Sequence, residues 1–390
     1  MNYQNGINAT LIPVPPPSAP SAPSAPVATR HYQISSGKSE DVSEETVKAL
    51  KKQGFSEGLA VSLSENNTNF PLRIWIVDNS GSMQKADGHR ITSTRVKNQL
   101  KIVDSSRWDE IKECVSYHIE MAALLEASTS FRLLNNPGAS VGPQQFDISQ
   151  MGPDMIRSEV VKAQDIMTKA RPGGVTPLTQ HIEEIHATVQ ALSQTLSVEG
   201  KRVVIVIATD GLPTDAHGNA NDTVKNQFVQ SLRALEGLPV WLVIRLCTDD
   251  DEVVDFYNEL DDMLELSMDV LDDFVGEAEE VYAHNKWLTY ALPVHRMREM
   301  GFHDRVFDML DERTLTKGEL RDFCRLLFGV GNFDGVPDPS VDWKGFLSSV
   351  DMLLRKEELQ YNPVKKKMTP WIDLKKLNKI YGDGDGCTVM

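Results

Sequence analysis

Oxygen-bearing side chains follow a short apolar run in the first quarter of the chain. The run Leu72–Val77 leads into Asp-Asn-Ser-Gly-Ser-Met, which places Asp78, Ser80 and Ser82 at alternate positions. Alternate residues of an extended segment face the same side, so one carboxylate and two hydroxyls point the same way. Oxygen ligands of this kind suit a hard cation such as Mg²⁺. The segment therefore predicts one part of a divalent-cation site.

Two later segments supply further oxygen atoms. The glycine-rich stretch Gly-Gly-Val-Thr-Pro at 173–177 contributes Thr176, and Asp210 follows the most apolar run, 202–208. Ligands of open α/β sheets bind beyond the carboxyl ends of the strands, so these residues are expected to converge. Helix caps and turns would explain each residue singly, but not all five oxygens together. The predicted metal ligands are Asp78, Ser80, Ser82, Thr176 and Asp210.

The elements that must position these residues alternate between strands and helices. Continuous Val- and Ile-rich strands separated by helices predict a doubly wound, Rossmann-like α/β domain with a mostly parallel sheet. The predicted strands are 72–77, 129–134, 145–148, 202–208 and 240–246, and the predicted helices are 106–125, 155–170, 179–196 and 223–235.

The pattern D-x-S-x-S, then Thr, then Asp resembles the von Willebrand factor A domain with its metal-ion-dependent adhesion site. The resemblance covers about residues 70–290 and is carried by the five predicted ligands. It implies that both serines and the threonine contact Mg²⁺ or Mn²⁺ directly, while the aspartates often act through water. It also implies that an Asp or Glu of a protein partner completes the coordination, and hence a protein-binding module.

One departure from the compact members of that family is the spacing of 98 positions between Asp78 and Thr176. A polar insert, Gln84 to Ser105, lies between the segment 78–83, here called the metal loop, and the first predicted helix of the α/β domain. It is expected to rim the metal face and to contribute to the choice of partner, or else to form a solvated surface hairpin. Its basic residues are Lys85, His89, Arg90, Arg95, Lys97 and Lys101.

Catalysis by this site is not expected. His181 and His186 lie five positions apart, whereas a zinc helix uses histidines four apart. Ser80 lies in no Gly-x-Ser-x-Gly turn, and no glycine-rich phosphate loop ends in Lys-Ser or Lys-Thr. A metal-dependent hydrolase, which requires a general base and a shaped cavity, is the less favoured alternative.

The last four residues, Cys-Thr-Val-Met, form a prenylation box that favours farnesylation of Cys387. A flexible stretch, Gly-Asp-Gly-Asp-Gly at 382–386, precedes the box. One lipid anchors only marginally, so a second signal is expected. The segment Lys365–Lys379 holds six lysines and one acid, and includes a helix predicted to be capped at Thr369-Pro370. This helix is either an amphipathic membrane-facing element or packs Trp371 into the protein.

The remaining regions suggest the domain organisation. Residues 1–40 form a Pro-rich arm expected to be a disordered tether, 41–66 a short helical hairpin, 293–360 a helical region and 361–390 the tail. The helix–Gly54-Phe55–helix pattern weakly resembles a ubiquitin-associated domain without its third helix. A second such turn is Met300-Gly301-Phe302. A ubiquitin-pathway adaptor is therefore the alternative function.

Composition limits the classes further. The chain has 390 residues and a formal net charge of −16, which argues against nucleic-acid binding. The segment 249–280 holds fifteen acids without Lys or Arg and is expected to be a folded helical excursion. No apolar run approaches the length of a spanning helix. The cysteines favour a reducing compartment, because Cys114, Cys247, Cys324 and Cys387 show no paired spacing. Together these features predict a cytoplasmic protein held at a membrane by its lipid.

Overall fold

A computed structural model describes Tyr32 and residues 43–382 of the chain. The predicted Pro-rich arm, apart from Tyr32, and the prenylation box at Cys387 lie outside the described residues. None of the described helices is both long enough and apolar enough to cross a bilayer.

The described residues form ten strands, fourteen α-helices and two short 3-10 helices, Gly81–Gln84 and Pro153–Met155. The strands are β1 Leu72–Val77, β2 Gly88–Ser93, β3 Leu100–Ser105, β4 Thr129–Leu133, β5 Gln145–Ile148, β6 Val203–Thr209, β7 Val240–Leu246, β8 Met268–Leu271, β9 Gln360–Asn362 and β10 Lys367–Thr369. The helices are α1 Glu44–Lys52, α2 Glu57–Asn69, α3 Arg107–Leu124, α4 Ile156–Lys169, α5 Leu178–Glu199, α6 Asp222–Arg233, α7 Asp251–Met263, α8 Phe274–His284, α9 Leu292–Glu299, α10 Arg305–Glu312, α11 Lys317–Phe328, α12 Val330–Phe333, α13 Trp343–Leu354 and α14 Leu374–Tyr381.

A six-stranded sheet of order β5-β4-β1-β6-β7-β8 lies at the centre. Only β5 runs antiparallel to its neighbour in this sheet. Side chains of β1 alternate between two apolar cores: Trp75 packs with α3 and α4, and Ile74 packs with α5 and α6. Helices thus cover both faces, which explains why β1, β6 and β7 are buried throughout. The predicted mostly parallel α/β sheet is confirmed.

The acidic segment 249–280 is not purely helical. Between α7 and α8 it contains β8, which pairs in parallel with β7 at the edge of the sheet. An edge strand pairs on one side only and can be short and partly polar. This is why four residues without a continuous apolar run gave no strand signal.

The insert Gln84 to Ser105 forms an antiparallel hairpin of β2 and β3. The hairpin begins beside the first turn of α3, where the amide of Arg107 donates to the Lys85 carbonyl at 3.0 Å. Its tip lies elsewhere: Lys97 forms an ion pair with Glu358, and Asn98 Nδ2 donates to Glu358 Oε2 at 2.8 Å. Only the base of the insert therefore lies at the metal loop, and the tip contacts the segment after α13.

The helices before and after the sheet share one apolar core, which contains residues of α1, α2 and α9 to α14. The hydroxyl of Ser56 donates to the Leu327 carbonyl at 2.6 Å. Gly58 allows the close approach of α2 to α11, because a Cβ there would lie 2.2 Å from the Leu326 carbonyl oxygen. The predicted helical hairpin is thus packed against the C-terminal helices, and Phe55 is buried in that core.

The C-terminal segment also packs into the protein. Residues 360–369 form the small β9–β10 pair, so the cap predicted at Thr369-Pro370 is wrong: α14 begins at Leu374, and Asp373 caps it. Trp371 is 1 % exposed and Leu377 is fully buried. Of the two readings of this helix, the structure shows the one that packs Trp371 inside, while Lys366, Lys367, Lys375 and Lys379 remain exposed.

Candidate metal site

Four of the five predicted ligands are joined in a row of hydrogen bonds beyond the ends of β1 and β6. The carboxylate of Asp78 accepts from the Ser80 amide at 2.7 Å. The hydroxyls of Ser80 and Ser82 lie 2.9 Å apart, and Ser82 Oγ donates to Asp210 Oδ1 at 2.7 Å. The structure therefore brings Asp78, Ser80, Ser82 and Asp210 together, as the alternation of side chains along an extended segment predicts.

The glycine-rich loop that carries the fifth predicted ligand, Thr176, is held against the metal loop by backbone hydrogen bonds of Gly173 and Gly174. The Gly81 amide donates to the Gly174 carbonyl at 3.1 Å, and the Gly173 amide donates to the Asn79 carbonyl at 2.7 Å. Gly174 has φ +96°, a conformation that glycine adopts without strain. The glycine-rich loop is thereby held against the metal loop, although within the described chain Thr176 shares no hydrogen bond with the other four residues.

Burial distinguishes the two carboxylates from the serine at the rim. Asp78 is fully buried and Asp210 is 2 % exposed, whereas Ser82 is half-buried. Burial first, and the charge of Asp210 second, raise the pKa of Asp78 to about 6. The hydroxyl of Thr209 offsets part of this effect by donating to Asp78 Oδ2 at 2.7 Å. The pair of carboxylates is therefore poorly compensated by protein groups alone.

Arg107 is the cation that touches this row, and sequence reasoning did not single it out. Its Nη1 lies 2.9 Å from Asp210 Oδ2, while Nε and Nη2 bind both oxygens of Asp87 at 2.6 and 2.7 Å. These contacts raise the pKa of Arg107 above its usual range, although burial by itself would lower it. One signal was present: Arg107 opens α3, and a basic residue in a first turn opposes the helix dipole unless another group holds it.

The residues present fit a hard divalent cation. Every group in the row is an oxygen donor, and carboxylate and hydroxyl oxygens are the ligands that Mg²⁺ and Mn²⁺ prefer. Of the two buried carboxylates, Asp210 binds the guanidinium of Arg107, which is also paired with Asp87. Within the described residues Asp78 has no basic partner, and its oxygens accept from the Ser80 amide and the Thr209 hydroxyl. The local excess of negative charge favours an added cation.

A second cluster, here called the Glu299 cluster, contains ligand types of a different kind. It consists of Glu299, Cys114, His118, Arg245, His295 and Arg296. Glu299 accepts from His118 Nε2 and Arg296 Nη1, both at 2.8 Å, and Arg245 Nε lies 3.6 Å away. Cys114, His118 and Glu299 could together reach one metal ion. Arg296 pairs with Glu299 and Arg245 pairs with Glu110 beside it, so the buried carboxylates are already compensated and this set is a structural ion cluster.

The cations dominate the electrostatics of this cluster. Although burial alone would raise it, Arg296 and then His295 hold the pKa of Glu299 well below its usual range. Burial lowers the pKa of His118, which Glu299 partly offsets. The cluster joins α3, β7 and α9, so the buried carboxylate of Glu299 is one of the polar contacts between the C-terminal helices and the central sheet, together with the ion pair of Arg298 with Asp269.

The histidines weighed for catalysis are not brought together as ligands. His181 is 7 % exposed, and its Nε2 lies 3.1 Å from the Leu134 carbonyl oxygen. Burial lowers the pKa of His181 to about 4. A neutral imidazole bound to a backbone carbonyl explains this residue as part of the core edge.

Comparisons with known proteins add little to this picture. No family model and no curated protein sequence matches the chain. Among solved structures it is similar to the PilB minor pilin from Streptococcus sanguinis, with a TM-score of 0.32, and to a mutant of that pilin, with a TM-score of 0.34. Both share 14 % identity, and the match covers 52 % of this chain and 56 % of the pilin. The chain thus spans little more than half of that protein, and TM-scores this low do not indicate a common fold.

Proposed function

We propose that the chain is a von Willebrand factor A-type protein-binding module whose strand-end site holds Mg²⁺ or Mn²⁺. The ligands are Asp78, Ser80, Ser82, Thr176 and Asp210. The observation that supports this proposal is the hydrogen-bonded row of oxygen donors, which contains two buried carboxylates, at the carboxyl edge of a parallel sheet. When bound, the cation supplies a coordination position that a carboxylate of a partner protein fills.

The chain's own residues fix the orientation of the site. The Ser80 amide and the Thr209 hydroxyl each bind one oxygen of Asp78, so this carboxylate cannot rotate. Ser82 lies at the solvent side of the row, next to the exposed Gly81. A partner therefore approaches over Gly81 and Ser82, and the loops beside them contribute to its selection.

The proposal includes a membrane tether. A farnesyl group on Cys387 and the exposed lysines of the segment 365–379 would act together, because one lipid and a polybasic patch each bind weakly. Since Trp371 and Leu377 are buried in the protein and Ile380 is the exposed apolar residue of α14, the lysines contribute mainly by charge rather than by insertion of the helix. The protein would then lie at the cytoplasmic face of the membrane.

The two alternatives gain no support from the structure. A ubiquitin-associated module presents its Gly-Phe turn to the partner, but Phe55 is 3 % exposed and Phe302 is 7 % exposed. A metal-dependent hydrolase requires a free general base beside the metal. In the described chain both carboxylates of the site are already held by neighbouring groups.

Calorimetric titration with MgCl₂ and MnCl₂ tests the metal site. We expect the wild type to bind one equivalent and Asp78→Ala to bind none, whereas Asp104→Ala, an exposed acid of the hairpin, binds as the wild type does. Equal binding by the wild type and Asp78→Ala would contradict the assignment.

Affinity capture tests the function. The wild type should retain a partner in MgCl₂ and lose it in EDTA, and Asp78→Ala should retain none. Mass spectrometry of the eluate identifies the partner, and mass spectrometry of the C-terminal peptide reports on farnesylation. A Cys387→Ser variant that remains fully membrane-bound would exclude the lipid as the tether.

A further inference from the structure

The guanidinium of Arg107 lies between the strand-end site and the β2–β3 hairpin. Nη1 donates to Asp210 Oδ2 at 2.9 Å and also lies 3.4 Å from the Asp210 carbonyl oxygen. The other two nitrogens form a bidentate pair with Asp87, a residue whose side chain is 55 % exposed. Arg107 therefore links a buried metal ligand to an exposed carboxylate.

Asp210 does not depend on Arg107 for its orientation. Its other oxygen, Oδ1, accepts from the Ser82 hydroxyl at 2.7 Å, and the residue directly follows β6, whose last residue Thr209 accepts from the Cys247 amide at 2.9 Å. The aspartate is thus held from the side of the strand and from the side of the metal loop. Removing Arg107 would take away a positive charge without freeing the ligand.

The positive charge of Arg107 next to Asp210 opposes the binding of a metal ion at the strand-end site. The guanidinium binds one oxygen of Asp210 while the site uses the other, so both cations would share one carboxylate. Like charges that bind the two oxygens of one carboxylate repel each other, and solvent screens this repulsion only in part at a largely buried site. The bidentate pair with Asp87 reduces this repulsion, because it neutralises much of the guanidinium charge.

Asp87 is in turn fixed by the base of the hairpin. The Arg107 amide donates to the Lys85 carbonyl at 3.0 Å, and a Cβ at Gly88 would lie 2.8 Å from the backbone of Arg107. The residues on both sides of Asp87 therefore pack directly on the first turn of α3. A displacement of the hairpin would move Asp87 away from Arg107.

We propose that Arg107 lowers the affinity of the strand-end site for divalent cations and that Asp87 relieves this effect, so that the position of the hairpin regulates metal binding. This inference rests on the proposed function of the site. It assigns the insert a regulatory role in addition to any contact with a partner.

Two substitutions with opposite expected effects test the proposal by titration of the full-length chain with MgCl₂ and MnCl₂. Arg107→Gln should bind about tenfold more tightly than the wild type, because a cation next to Asp210 is removed. Asp87→Asn should bind about threefold more weakly, because the charge of Arg107 then acts on Asp210 alone. Asp87 is exposed, so this variant should fold even if Arg107→Gln does not.

Matched controls exist on the same hairpin. Arg90→Gln removes the same charge from a residue that pairs with Glu113 at 2.9 Å, and Asp104→Asn removes the same charge as Asp87→Asn. Both controls should bind metal as the wild type does. Thermal unfolding in EDTA and in MgCl₂ provides a second readout, since tighter binding raises the midpoint further on addition of metal.

The outcomes separate the two proposals. If neither the wild type nor Arg107→Gln binds a divalent cation, the proposed function fails and this inference fails with it. If the wild type binds and Asp78→Ala does not, but Arg107→Gln binds equally or more weakly, Arg107 positions Asp210 or is neutral, and only the inference is overturned. Unchanged or tighter binding by Asp87→Asn would likewise overturn it.

Discussion

Two buried groups of carboxylates in this protein differ in how their charge is balanced. At the strand-end site the guanidinium of Arg107 binds Asp210, whereas Asp78 has no basic partner among the described residues, and burial raises the pKa of Asp78 to about 6. In the Glu299 cluster one carboxylate contacts Arg296 and lies near Arg245, and Arg296 and then His295 hold its pKa well below its usual range although burial would raise it. The charges of the first group favour the cation proposed above, whereas those of the second are already compensated.

The difference shows why ligand type alone does not identify a metal site. The side-chain types that zinc prefers are present in Cys114, His118 and Glu299, whose ligand atoms are close enough to reach one ion. The strand-end site offers only hard oxygen donors. The surrounding cations decide between them, because a dication is repelled where guanidiniums already compensate the carboxylate. Four predictions sharpen or break this contrast.

The largest effect is expected at Glu299. Glu299→Gln keeps the shape of the side chain but leaves Arg296 without its carboxylate partner, while Arg245 keeps its ion pair with Glu110. Removing one partner of a buried ion pair costs about 3–5 kcal/mol of unfolding free energy. Urea unfolding in EDTA measures it, with Glu113→Gln at an exposed pair as the control. A loss below about 1 kcal/mol would show that the cluster does not carry the contact between α9 and the sheet domain.

The next prediction concerns pH and compares two buried histidines. Among the described residues the hydrogen-bond partner of the His181 ring is the Leu134 carbonyl, and burial lowers the pKa of His181 from 6.5 to about 4. Between pH 6.5 and pH 4, His181 is therefore protonated in the unfolded chain but not in the folded chain. The folded state is favoured above pH 6.5, and this contribution to stability is lost as the pH falls towards 4. The loss amounts to about 3 kcal/mol.

His181→Gln should flatten this loss, as measured by urea unfolding at several pH values. His118→Gln should flatten it less, because Glu299 favours the charged form of His118 and offsets part of the burial effect. The exposed His217 provides a control through His217→Gln. An equal change for His118→Gln and His181→Gln would contradict the role assigned to Glu299.

How far the sequence predicts these two regions depends on the range of the contacts. Asp78, Ser80 and Ser82 lie within five residues and follow a strand, so alternation along that strand is enough to group them. Asp210 could be added because parallel strands end at one edge. Arg107 lies 103 positions from Asp210, and Glu299 lies 181 positions from His118. No local pattern encodes such pairings, which form only when α3 packs on the sheet.

The hairpin shows the same limit. Its strands are half-buried or exposed at all but one position and lack a clear apolar alternation, so a surface hairpin could be offered only as one of two readings of the polar insert. Because Gly88 has no Cβ, the hairpin can approach the first turn of α3 closely. At its tip, Lys97 and Asn98 contact a segment about 260 positions away in the sequence. The sequence indicated a polar insert at the metal loop, whereas the contact of its tip depends on the folded chain.

A smaller effect is expected from Asp78→Asn, which is the counterpart of Glu299→Gln at the strand-end site. The amide side chain introduced by this substitution would keep an acceptor for the Ser80 amide and remove the charge that repels Asp210. In EDTA we expect the free energy of unfolding to stay within about 1 kcal/mol of the wild type or to rise. A loss of about 3 kcal/mol would place both carboxylate groups in the same compensated class and remove the contrast.

The smallest effect is expected at the hairpin tip. Lys97 and Glu358 form an ion pair whose side chains are 59 % and 46 % exposed, so solvent screens their attraction. Lys97→Ala should change the free energy of unfolding by less than about 0.5 kcal/mol, and added NaCl at about 0.5 M should abolish even that difference. Urea unfolding at two salt concentrations measures both, with Lys101→Ala as a control on the same strand pair. A salt-independent loss above about 1 kcal/mol would mean that the tip is firmly packed on the segment after α13. The hairpin would then hold Asp87 against Arg107 permanently and could not regulate metal binding by moving.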